Sequence, residues 1–156
     1  MRSWCPSGRG TGTTGGPYLE EQGACDNPDF AGSGLATADS IGAVVSFMAR
    51  QPFIKPTGAI VVGNSAGGWG ALALASRNPK GVAAVVSFAG GRGGHKGNRA
   101  GANCAPDRLV AAAATYGQTA HIPFALALCG GTIPISRRSC RGGWRTPIAP
   151  RGQRGI

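Results

Sequence analysis

Residues 58–79 read GAIVVGNSAGGWGALALASRNP, and this stretch decides how the remainder of the chain is read. Ala59, Ile60, Val61 and Val62 form a short apolar run, three of them β-branched, with the composition of a strand covered on both faces. Gly63-Asn64-Ser65-Ala66-Gly67 follows, a G-x-S-x-G pattern. At a strained strand-to-helix turn of this kind the serine hydroxyl is lifted above the sheet, and glycines on both sides remove Cβ atoms that would collide where strand and helix approach. The hydroxyl also meets the positive end of the next helix. Residues 66–77 predict that helix, with an Ala/Leu face and a stop at Asn78-Pro79, and residues 82–88 predict a second buried strand. With 28 glycines and 10 serines in 156 residues, chance alone supplies about 0.3 such patterns. The order strand, turn, helix, strand is what separates a nucleophile at Ser65 from an idle serine in a glycine-rich helix start.

Towards the N-terminus, DNPDFAGSG at 26–34 reads as a loop. Thr37 or Asp39 then caps a helix reaching Arg50, whose Ile41, Val44, Val45 and Met48 fall at i, i+3, i+4 and i+7. Gln51-Pro52 ends it. Towards the C-terminus, GGRGGHKGNRAGAN at 90–103 is a glycine-rich loop at a strand's C-terminal edge, where open α/β sheets place their ligands. Residues 106–116 predict a helix with proline in its first turn, and 124–128 a third strand. The alternation predicts an α/β fold, a doubly wound and mostly parallel sheet with flanking helices.

GNSAGGWGALALASRNP followed by VVSFAGGRGG resembles the α/β-hydrolase superfamily, in particular its dienelactone-hydrolase-like and acylaminoacyl-peptidase-like members. The likeness covers about residues 13–131. It includes Gly15-Gly16-Pro17-Tyr18-Leu19-Glu20-Glu21, similar to a TGGPY segment of those proteins, and Arg9-Gly10-Thr11-Gly12 resembles the turn before it. The resemblance implies a partial α/β-hydrolase core acting on a small ester or peptide without a cofactor or metal. Ser65 is then the nucleophile, the Ala66 N–H an oxyanion donor, and the loop near Arg9 to Thr14 the source of a second donor. An acid and a histidine should follow the serine. In the resembling family the acid lies just past the strand ending near Leu128, in an Asn-Asp motif that this chain lacks.

Chain order alone offers Asp107 and His121 as triad partners of Ser65. Geometry argues against them: Asp107 belongs to a helix's first turn, and His121 precedes its strand, about 15 to 20 Å from the catalytic edge at ~3.3 Å per residue. His95 sits in the loop at the correct edge but before any fitting acid, and Trp69, one turn into a helix, reads as core rather than pocket wall.

A length of 156 residues suits one domain but is short for the sheet of an α/β-hydrolase. The sequence shows neither an uninterrupted apolar stretch of 18 residues nor a signal peptide, so no membrane span is expected and a cytoplasmic location is the default. The net charge of +10 sits at the ends. Residues 13–131 hold eight bases and all six acids, while residues 132–156 hold six arginines and no acid. That tail shows neither helical nor strand period. It reads as a disordered basic tail or as a shifted reading frame, because a frame displaced by two bases can give Gly-Asn-Asp-Ser-Tyr-Phe from codons permitted at 131–136. Residues 1–12 are likewise expected to be irregular. A rival reading is a non-catalytic remnant or a cationic protein contacting nucleic acid or anionic surfaces, although the tail lacks the aromatic interleaving of specific nucleic-acid binding. Five cysteines define no metal spacing. Cys25 and Cys104 each lie beside a Pro-Asp pair, and either a bridge or two free thiols fits them.

Overall fold

The computed structural model describes residues 5, 7–94, 96–99 and 102–127. Along them run α1 (Phe30–Ala49), β1 (Ala59–Asn64), α2 (Ala66–Ser76), β2 (Val82–Phe88), a 3₁₀ turn (Lys96–Asn98), α3 (Pro106–Thr119) and β3 (Phe124–Ala127). The tail at 132–156 and the end of the third strand at Leu128 lie outside the described residues.

Helix α1 starts well before the expected cap at Thr37 or Asp39. Asp29 is the N-cap, its Oδ1 accepting the Gly32 N–H at 2.7 Å. Gly32 and Gly34 made this segment look like a loop, but Gly34 is a packing glycine. A Cβ there would stand 2.7 Å from Trp69 Nε1 and would also strike the Tyr116 hydroxyl. Close approach to α2 and α3 therefore overrides the weak helix propensity of glycine. The buried stripe continues from Phe30, Gly34, Thr37 and Ala38 to half-buried Ile41 and Val45. By length and mean hydropathy, 1.2, α1 is apolar enough to cross a membrane. It carries Asp39 and packs along α2 as a helix of the core.

The three strands form one parallel sheet in the order β1-β2-β3. Both crossovers advance in the same direction, and right-handed crossovers of that kind deliver their helices to one face. Helix α2 packs on β1 and β2, while α1 and α3 pack on α2. Val85, Ala71, Ala75, Val82 and Ala120 are buried there, with Val61 and Phe124 against them. Among the described residues the opposite face is open: Ile60 is 52% exposed, Val62 61% and Phe88 42%. The sheet is thus parallel with helices on one face. β1 is not covered on both faces as its composition led one to expect, because α2 packs on one face of the sheet and no described element packs on the other.

The heart of the helical layer is Trp69, 1% exposed. Its Nε1–H donates to Phe30 O at 2.8 Å, and its ring lies 5.2 Å from that of Tyr116. The Tyr116 hydroxyl donates to Ala31 O at 2.7 Å, so α1, α2 and α3 meet at two side chains. Burial, with the Asp29 charge second, pushes the Tyr116 pKa up to about 12, against the pull of Arg77 and Arg92. The folded state therefore prefers the neutral phenol. Its stabilising contribution is complete below the ordinary pKa of 10.0 and is lost as pH rises towards 12. Urea unfolding at pH 9 and pH 11.5 should show a loss on the order of 2 kcal/mol that Tyr116→Phe, which cannot ionise, does not share.

Described residues before α1 form neither helix nor strand. Residues 8–15 turn back on themselves through Gly10 N–H to Gly15 O, 3.0 Å, and Thr14 Oγ1–H to Gly8 O, 2.8 Å. Glu20 then inserts between α1 and the loop after β2. Arg92 Nη2 reaches Glu20 Oε2 at 3.2 Å and Thr37 Oγ1 at 3.1 Å, and the Thr37 hydroxyl donates to the same carboxylate at 3.0 Å. The two charged side chains are only 9% and 12% exposed. A disulfide joins Cys25 to Cys104.

Candidate functional site

Ser65 occupies the single residue between β1 and α2, with φ 53° and ψ −121°. For a residue with a Cβ this conformation costs on the order of 1 to 3 kcal/mol, so the surroundings must fix it. They do so through the backbone. The Ser65 N–H donates to Phe88 O at 3.0 Å, and Ser65 O accepts from Trp69 N–H at 2.9 Å and from Gly91 N–H at 3.2 Å. The turn is thereby tied to the end of β2, to the first turn of α2 and to the glycine-rich loop.

The side chain of Ser65 is exposed, makes no capping bond to α2, and its hydroxyl has no hydrogen-bond partner among the described residues. Ala66 opens α2, so its N–H precedes the intrahelical ladder. Together these place a free hydroxyl and an unused backbone donor at the positive end of an 11-residue helix.

The glycines of the turn divide their work differently from what the sequence led one to expect. A Cβ on Gly63 would collide with the backbone of Gly67 and stand 2.6 Å from Gly68 N, so this position demands glycine. A Cβ on Gly67 would meet nothing within 4 Å. The second crowded position is Gly68, where it would stand 2.8 Å from Ser87 Oγ. Ser87, 1% exposed, donates to Gly68 O at 3.1 Å and braces the helix start from beneath. Its signal in the sequence is a lone polar residue inside the apolar run VVSF.

Asp107 and His121 are not brought to Ser65. His121 precedes β3, and its N–H is held by Asn78 Oδ1 at 2.6 Å. Asn78 lies beyond the C-terminus of α2, whose N-terminus carries Ser65, and the eleven helical residues between them alone rise about 16 Å. Asp107 is exposed in the first turn of α3 and shares no hydrogen bond or ion pair with Ser65 or His121. His95 lies outside the described residues. Trp69 is core, as its position in the helix implied.

In the turn expected to supply a second donor, the N–H groups of Gly10, Thr11 and Thr14 are used within the turn itself. The segment is nonetheless tied towards the serine, since Tyr18 and Glu20 bind Arg92, the neighbour of Gly91. Arg92 and Glu20 are the residues that sequence reasoning missed, because nothing local marks a pair so far apart. Among the described residues no group of three or more His, Cys, Asp or Glu side chains could hold a metal ion. Two clefts of about 350 and 280 Å³ open beside α1, one against α2 and one against α3, and Ser65 lines neither.

Comparisons of the chain with protein-family models, with curated proteins and with solved structures find no match.

Proposed function

We propose that the chain carries the nucleophile half of a serine hydrolase of α/β-hydrolase type, directed at a carboxylic ester or peptide bond. The observation that supports this most is the left-handed backbone of exposed Ser65 between a parallel strand and a helix. That is the geometry of a nucleophile elbow. In this reading Ser65 Oγ attacks the carbonyl carbon, and the Ala66 N–H donates to the oxygen as it gains charge. The hydroxyl proton needs an acceptor, and no described side chain lies in hydrogen-bond contact with Ser65 Oγ. Turnover of a p-nitrophenyl ester should therefore stay within the residual ~10³ to 10⁴ over water left when triad members are removed.

The test is covalent. On prolonged exposure to excess alkyl fluorophosphonate, Ser65 should be phosphonylated slowly, its proton passing to water and fluoride leaving, to give a peptide adduct that Ser65→Ala lacks and His121→Ala retains. An adduct on another serine, or none at Ser65, overturns the proposal. Rapid ester turnover abolished by both substitutions would instead restore Asp107 and His121 to a triad.

A further inference from the structure

The loop after β2 is held to the body of the protein at its two ends by different means. At its start, Gly91 N–H binds Ser65 O and Arg92 binds Glu20, both independent of any cysteine. At its end, Cys104 N–H donates to Gly93 O at 2.8 Å, closing a neck, and Cys104 is bridged to Cys25 across a Cα separation of 5.0 Å. Between the neck residues the backbone bonds of the described residues stay inside the loop: Lys96 N–H to Ala102 O, Arg99 N–H to Lys96 O and Ala102 N–H to Arg99 O. The bridge is the covalent fastening of that far end.

The two sulfurs are not equivalent. Cys104 is buried in the core beside Phe30, whereas Cys25 is only partly buried against it. A solvent thiolate therefore reaches Cys25 more readily than Cys104, and Cys104 is the leaving group. A second tie between the same two segments, the Arg108 guanidinium on Asn27 Oδ1, and the packing of Leu109 and Tyr116 hold α3 without the bridge.

We propose that the Cys25–Cys104 bridge is a redox-operated clamp: a dithiol opens it at Cys25 and frees the far end of the loop after β2, while sheet, helices and the Gly91 tie to Ser65 stay in place. In the first step a thiolate of the dithiol bonds to Cys25 Sγ, and Cys104 Sγ departs with the electron pair and takes a proton. In the second, the other thiolate attacks the mixed disulfide, Cys25 departs and is protonated, and the dithiol is oxidised to its cyclic disulfide. Two electrons and two protons pass to the protein. The clamp stands on the loop's own fastening and does not rest on the hydrolase reading.

Hydrogen exchange on the full chain, with and without dithiothreitol, tests it. Peptide mapping of the oxidised chain should give a linked pair containing Cys25 and Cys104. On reduction, amides at 93–94, 96–99 and 102–104 should exchange at least about tenfold faster while those at 82–88 keep their rates, and reoxidation should restore the first pattern. Cys104→Ser should reproduce the reduced pattern without reductant. Free thiols at both positions in the air-oxidised chain, unchanged exchange after reduction, or equal loss of protection at 82–88 would each overturn the proposal. If Cys104→Ser does not fold, that counts with the last of these. Phosphonylation of Ser65 is read separately, so the clamp and the hydrolase reading fail independently.

Discussion

Trp69→Ala should cost about 3 to 5 kcal/mol, a third or more of the total stability of an ordinary domain. The side chain is the largest fully buried one, and its neighbours come from all three helices. The cavity cannot close easily, because Gly34 offers no side chain to fill it and Tyr116 is held by its own bond to Ala31 O. Phe30 O would keep the Ser33 hydroxyl at 3.0 Å, so the main loss is contact rather than an orphaned carbonyl. Trp69→Phe separates the two contributions, since it keeps much of the ring and removes only the N–H, worth about 1 kcal/mol. Equilibrium urea unfolding of both variants measures this, and a loss under ~1 kcal/mol for Trp69→Ala would mean that the helices are held by something else.

Glu20→Gln should be about as damaging, near 3 to 5 kcal/mol, although the side chain keeps its shape. The substitution removes the counter-charge of Arg92 and leaves a guanidinium that is 9% exposed, with Nε already lacking a partner among the described residues. Desolvating a cation without a paired anion is the costly step. Replacing both groups by apolar residues, Glu20→Leu with Arg92→Met, should return most of the loss. In a double-mutant cycle read by urea unfolding, additive single and double values would show that the pair contributes nothing as a pair.

Short-range chemistry was legible in the sequence. The apolar β-branched runs gave β1 and β2, Asn78-Pro79 gave the end of α2, Pro106 gave the start of α3, and the glycine-flanked serine gave the turn at 65. What failed locally failed for tertiary reasons. Gly32 and Gly34 look like helix breakers until α2 and α3 are placed against them. Composition marked β1 as buried, but burial depends on what lies on each face, and the topology leaves one face open. The Glu20–Arg92 pair spans 72 residues and carries no pattern that a window could detect. Cysteine count left the bridge open, and proximity alone decided it. At the site the serine was legible and a base was not, because the two histidines of the sequence fall at the wrong end of the sheet or outside the described residues.

Residues 7–29, which hold no helix or strand, join late in the order in which the molecule assembles. Each β-α-β unit closes over a short stretch of chain, so β1 with β2, and then β2 with β3, can form early at little loop entropy. Residues 8–28 have no such local nucleus. Glu20 reaches Thr37 of α1 over 17 residues, but its charge partner Arg92 is 72 residues away and Cys25 bonds Cys104 across 79, partners that exist only once β2 and the start of α3 are in place. This segment is therefore last to join on folding, and with the bridge reduced it is first to leave on unfolding, so protease cleavage before Phe30 should then begin while the sheet remains intact.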